Sequence, residues 1–371
     1  MRFIRQTILA MAAAAAAGSA AAQSSVTLYG VVDVFGQYLN NGGTSSIMER
    51  SGGLAGSQIG FKGTEDLGGG LRAVFDLESG YTPNTGGFFV DPTALFYRQA
   101  WLGLTHERYG TLSFGRQYQP TFWVLYYGDP FRGNEVLSPL SAAAIATDRN
   151  TLSTQAGPGR LSNSVLYKSP NLNGVTLYAM YALAATSSYP VPTTLGNTLD
   201  VAAMYSGYGF YAGIAYQNEH QGVRTLPGLP GPLAMMSTDH YTGALAYRFG
   251  IVNLQFNYIY SRPQSAPAGS LAARLNAANS NSVAEAGMTI QATDADVIEF
   301  AAVQRKVRGV NSNTLAFELG ADHSLSKRTS VYARAGYMKN HGTATMSWPG
   351  VSVTKPQTSQ TLVGVGLSHR F

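Results

Sequence analysis

Val252-Asn253-Leu254-Gln255-Phe256-Asn257-Tyr258-Ile259-Tyr260-Ser261 decides the fold. Val252, Leu254, Phe256, Tyr258 and Tyr260 are apolar or aromatic, and Asn253, Gln255, Asn257 and Ser261 between them are polar. A repeat of two places these sets on opposite faces of a β-strand. The run is about ten residues long, beyond the five or six usual in soluble sheets and right for a tilted strand crossing a bilayer. The same alternation recurs at both ends of the chain. Val26, Leu28, Gly30, Val32 and Val34 alternate with Thr27, Tyr29, Val31 and Asp33, and Val363, Val365, Leu367, His369 and Phe371 share one parity. Ala73, Phe75 and Leu77 alternate with Arg72, Val74, Asp76 and Glu78.

Composition narrows the class. Hydrophobic residues make up 45% of the 371 and charged residues only 12%, about half the charged share of a soluble domain. Mean hydropathy is nevertheless close to zero, which excludes a bundle of membrane helices. There is no Cys, so disulfide frameworks, thiolate nucleophiles and Cys-held metals are excluded. Arg2 and Arg5, an apolar run from Ile8 to Ala17, and Ala20-Ala21-Ala22 have the order of an export signal, cleaved before Gln23. The reading divides the chain into a leader over 1–22 and one domain over 23–371. The net charge of +5 falls to about +3 without Arg2 and Arg5, too weak for a nucleic-acid binder.

Connections alternate between short and long. Asp66–Gly70, Ser206–Gly209, Phe249-Gly250 and Leu325–Thr329 are tight, whereas Asn40–Gly56, Tyr118–Gly159, Glu219–Thr238 and Pro263–Ser280 are long. Sixteen strands are expected, beginning near Val26, Ser57, Leu71, Phe96, Thr111, Arg160, Gly174, Leu199, Gly209, His240, Ile251, Ser282, Val297, Thr314, Ser330 and Gln360. The twelfth and thirteenth alternate poorly. In lipid every backbone polar group needs an internal partner, and closing the sheet removes its edges. The expectation is an all-β, 16-stranded antiparallel transmembrane barrel with short turns at one rim and long loops at the other. Tyr-rich strand ends such as Tyr29, Tyr97, Tyr167 and Tyr258 fit the interfacial girdles of such a barrel.

A barrel of this size encloses water. Asp33, Lys62, Arg72, Asp76, Glu78, Arg98, Arg160 and Lys168 fall on the inward parity. The stretch Tyr118–Gly159 is long for a loop without a role. It holds Asp129, Glu135 and Asp148 with Arg132 and Arg149, and the aromatics Phe122, Trp123, Tyr126, Tyr127 and Phe131. Folded inward, its acids would face bases on the wall and set a field across the narrowest point.

These segments resemble the neisserial and β-proteobacterial type of trimeric general porins over nearly the whole mature chain. The resemblance is carried by Ser25-Val26-Thr27-Leu28-Tyr29-Gly30, by Gly63-Thr64-Glu65-Asp66-Leu67-Gly68-Gly69-Gly70, and by Arg98-Gln99-Ala100-Trp101-Leu102-Gly103-Leu104. It continues through Gly115-Arg116-Gln117-Tyr118, Asn163-Ser164-Val165, Leu325-Ser326-Lys327-Arg328-Thr329 and Gly366-Leu367-Ser368-His369-Arg370-Phe371. It implies a homotrimer whose third loop enters each pore, and passive diffusion of small hydrophilic solutes. It implies a basic constriction wall at Arg98 and Arg160; the inward parity adds Lys62 and Arg72 to that wall, and Asp129 and Glu135 are the loop acids expected to face it. A third wall Arg of that family is Gln58 here, so at most a mild anion preference is expected. Phe371 resembles the signal read by the outer-membrane assembly machinery, and the implied location brings contact with lipid and lipopolysaccharide.

Nothing local suggests catalysis. None of the six His stands two to five residues from another, and there is no HExxH, Gly-x-Ser-x-Gly or Walker pattern. No catalytic residue, metal or cofactor is expected. A channel selective for one metabolite is the alternative, followed by a barrel enzyme or adhesin.

Overall fold

The computed structural model describes residues 25–371 except 90–92, 145–158, 185–195, 225–232, 236, 265–278 and 352–354. The expected leader, and Asp148 and Arg149, lie outside the described residues.

The described strands run in order along the chain. They begin with β1 (Ser25–Asn41), β2 (Thr44–Ser51), β3 (Gln58–Gly68), β4 (Leu71–Thr82), β5 (Gly87–Phe88), β6 (Gln99–His106) and β7 (Gly110–Tyr118). Next come β8 (Arg160–Lys168), β9 (Val175–Ala182), β10 (Thr198–Gly207), β11 (Phe210–Glu219), β12 (Gly222–Arg224) and β13 (Leu233–Met235). The last are β14 (Thr238–Phe249), β15 (Val252–Pro263), β16 (Asn281–Gln291), β17 (Asp296–Val307), β18 (Ser312–Ser324), β19 (Thr329–Gly342) and β20 (Ser359–Arg370). Apart from β2, β5, β12 and β13, these form a closed antiparallel wall of 16 strands. Each begins within three residues of its expected start. The poorly alternating pair, β16 and β17, is in register over the whole of β16. The sheet closes where β20 pairs with β1, from Val31 opposite Arg370 to Asn41 opposite Gln360.

The alternation sorts the faces as the sequence reads. On β15, Phe256 and Tyr258 are exposed on the outer face, while Gln255 and Asn257 are buried on the inner one. Outward, Val26, Leu28, Val365 and Leu367 meet what is lipid in the membrane.

Two connections differ from the reading. The stretch expected as a loop from Asn40 to Gly56 is largely a hairpin, in which β2 folds back on β1. Gly42 and Gly43, at φ 62° and 96°, make a two-residue turn that only such residues adopt without strain. Also, 308–311 on the long-loop rim is short.

The connection from β7 to β8 turns into the barrel. It forms helix α1 (Pro120–Gly128) and the short helix α2 (Pro139–Ala144). Pro120 fits the first helical turn, where its missing N–H is not needed. The first helix lies against β10, β11, β14 and β15, and the second against β16, β17 and β18. The inner face of this wall is apolar where the loop rests: Phe35, Leu39, Ile259, Val283, Val303, Met338 and Leu362 are buried against Val136, Leu137 and Leu140. Burying this surface holds the loop in place, at about 25 cal/mol for each Å² removed from water.

Candidate functional site

Between α1 and α2 the inward loop is tied to the wall through Glu135. Arg98, just before β6, donates Nη1–H to Glu135 Oε2 at 2.9 Å, and Arg160 at the start of β8 donates to Glu135 Oε1. Arg98 Nε also donates to Glu78 Oε1 at 2.7 Å. Tyr118 Oη accepts from both guanidiniums, and Arg160 lies over the Tyr118 ring at 4.2 Å. Gln58 donates to Glu78 Oε2 at 2.9 Å, and Tyr29 donates to both Glu78 and Asp76. Burial alone would push the Glu135 carboxyl up; the charges of Arg160 and Arg98 outweigh it and hold its pKa at about 2. Two guanidiniums therefore face two carboxylates, and the cluster carries no net charge. The side chains of Arg98, Glu78 and Arg160 are almost wholly buried, at 8%, 5% and 5% exposed.

The other expected wall positions are placed differently. Lys62 lies over the Tyr29 ring at 5.2 Å. Arg72 is half exposed and pairs with Glu107 at 3.5 Å, apart from the loop. Asp33 does not reach open water: it accepts N–H bonds from Gly53, Leu54 and Ala55 and the Tyr332 hydroxyl at 2.6 Å. It thereby holds the connection between β2 and β3. Asp129 faces no base of the Arg98 cluster. It is buried and accepts from Phe131 N, Gly133 N and Ser138 Oγ at 2.7–2.8 Å, which shapes the turn after α1. Burial raises its pKa against the opposing effect of these donors.

Further anchors involve residues the sequence did not single out. Asp200 of β10 takes the Thr121 N–H at 3.2 Å and the Thr121 hydroxyl at 2.8 Å, capping α1 from the wall it lies against. Tyr211 and Asn257 donate to the carbonyls of Val124 and Leu125. Asn134 reaches the Gly52 carbonyl at 3.0 Å. The loop aromatics pack on one another and on the wall, from Tyr118 stacked on Phe122 at 4.4 Å to Tyr127 beside Tyr211 at 5.2 Å. Arg132 stands alone among the loop charges. It is exposed at φ 52° and has no ion-pair partner among the described residues. Its signal in sequence was the Arg-Gly pair that permits a left-handed turn, Gly133 following at φ 62°.

Phe371 exchanges backbone hydrogen bonds with Gly30, both at 3.1 Å, and lays its ring over the space a Gly30 side chain would fill.

Known proteins share this architecture. The chain is 29% identical to outer membrane porin protein 32 of Delftia acidovorans, over 99% of this chain and all of that one. It is 26% identical to major outer membrane protein P.IA of Neisseria meningitidis serogroup B, over 85% of this chain and 81% of the relative. An anion-selective porin from Comamonas acidovorans superposes with a TM-score of 0.77 at 24% identity, covering 94% of this chain and 100% of its own. The family model described as Gram-negative porin matches residues 9–343. With a barrel of sixteen strands and a loop turned into its lumen, the chain belongs to the Gram-negative porin family.

Proposed function

We propose that this outer-membrane channel for passive diffusion of small hydrophilic solutes is narrowed by the Glu135-bearing loop and favours anions only weakly. One observation carries the reading: Glu135 engages both Arg98 and Arg160, so the two wall bases hold the loop and lend little net field to the lumen. By the family resemblance Gln58 stands where a third wall Arg would, and it donates to Glu78 instead. Arg132 remains to attract anions. The anion-selective porin from Comamonas acidovorans, similar in fold, supports the same sign. In this reading Gln58, Arg98 and Arg160 with Glu135 form the constriction, Lys62 and Arg72 continue its wall, and Asp129 shapes the loop.

The same proposal makes the protein a homotrimer in contact with lipopolysaccharide, exported through a leader over 1–22. It is delivered by the assembly machinery through the strand ending at Phe371. It is a channel and not an enzyme.

The test is single-channel recording of refolded protein in a planar bilayer under a potassium chloride gradient. Ohmic steps in groups of three with a small anion-directed reversal potential are expected. Folded protein without steps would overturn the channel, single steps the trimer, and a cation-directed potential the weak anion preference.

A further inference from the structure

Below the loop turn at Arg132 the lumen opens into a cavity of about 560 Å³, which reaches the short turns at Asp294 and at Lys327. Six bases and three acids line it. Arg334 is the one base already satisfied, by Glu299 at 3.0 Å and Asp322 at 2.5 Å, and this uses two of the acids. Arg132 on the loop, Arg248 and Arg370 at the ends of β14 and β20, and Lys327 and Arg328 in the turn have no ion-pair partner among the described residues. Among the described residues, Asp294 is the one lining acid without an ion-pair partner to set against them.

A cavity walled by protein concentrates the field of such a set. Its attraction grows with the charge of the ion, so a dianion gains about twice what chloride gains. Guanidinium forks also match two oxygens of one oxyanion, which chloride does not offer. The cations come from two sides, the loop above and the turns below, so an ion between them is held by groups the fold fixes independently.

We infer that this cavity is a binding subsite for small, doubly charged oxyanions, with Arg132 as the member the loop contributes. The inference rests on the channel reading above and adds the class of solute the channel retains. The subsite is separate from the Arg98–Glu135–Arg160 cluster, whose charges are already matched.

The test measures chloride current through single channels at about pH 8 while inorganic phosphate is added, the phosphate then being mostly dianionic. Phosphate is expected to reduce the current of the wild-type protein, sulfate to act similarly, and nitrate to leave the current unaffected. Arg132→Gln is expected to raise the half-blocking phosphate concentration about tenfold, the scale of one lost charge-assisted hydrogen bond. Arg308→Gln removes the same charge from the exposed connection at the other rim and is expected to change nothing. No block of the wild type, equal block in Arg132→Gln, or an equal effect of Arg308→Gln would each overturn the subsite. Failure of the channel reading shows itself earlier, as absent steps or a cation-directed potential in potassium chloride alone.

Discussion

Asp200 of the barrel wall and Thr121 of the inward loop are joined by the carboxylate of one and the backbone N–H and hydroxyl of the other. The wall thus supplies the cap that the first residues of α1 lack, since Gln119 at the cap position makes no side-chain bond to the helix. Asp200→Ala is expected to free this end of the loop at a cost of about 1–2 kcal/mol, giving noisier open-channel current. Asp200→Asn keeps an acceptor and should stay closer to wild type. Equal, quiet currents in both variants would count against the cap.

Glu135→Gln leaves Arg98 and Arg160 with one carboxylate between them. Breaking a buried pair from one side costs about 3–5 kcal/mol, so the loop should loosen and conductance rise. The uncovered positive charge should move the reversal potential toward anions. Arg98→Gln with Arg160→Gln should also raise conductance but move the potential toward cations. Unchanged conductance in both variants would mean that the loop is held by its apolar face alone.

The same tether predicts a pH response. The Glu135 carboxyl titrates at about 2 in the folded protein and near 4.3 when unfolded. A lowered folded value means that the contribution is full above the unfolded pKa and is lost as pH falls through about 2. Conductance traced to this tether should hold level from neutral pH to about 5 and climb only below about 3. A midpoint between 4 and 5 would indicate a carboxyl without its arginines.

Two glycines on β1 should behave oppositely. A Cβ on Gly30 would stand 2.4 Å from the Phe371 ring and 2.6 Å from the Gln58 carbonyl oxygen, whereas one on Gly36 meets nothing within 4 Å. Gly30→Val should greatly reduce the yield of folded barrel, seen as loss of the heat-sensitive gel mobility of the folded form. Gly36→Val should fold normally. Similar yields for both would show that the Phe371 contact is dispensable.

The barrel was legible because its rule is local: one parity for lipid, the other for the lumen, repeated along each strand. Even β16 and β17, where the pattern is weak, follow once their neighbours set the register. The hairpin of β1 and β2 has its turn signal in Asn41-Gly42-Gly43-Thr44, but the residues of β2 do not alternate as the wall strands do. Arg98 and Arg160 could be placed on the wall from sequence, but not their neutralisation. Glu135 is 37 positions from Arg98 and 25 from Arg160, and it meets them only after the loop has turned inward. Asp129 read as a lumen acid because nothing local distinguishes it from Glu135; its partners are decided by the turn it closes. The inward turn had a trace in sequence. Phe35, Leu39 and Ile259 are apolar at a parity that also carries Asp33, Gln37, Gln255 and Asn257, and all three pack with the loop.

The seam between β1 and β20 places Val31 opposite Arg370 and Gly30 against Phe371. Along the chain β1 is the first of the described strands and β20 the last. Until β20 is in place β1 keeps one open edge, and each strand paired on its other side moves the second edge without removing it. Any second copy in the same state offers equally good pairing, and long-range pairing is slow. The architecture that leaves no edge in the membrane therefore keeps every unfinished chain sticky along its whole route there. The wall reaches its full stability only when this last pair of strands forms.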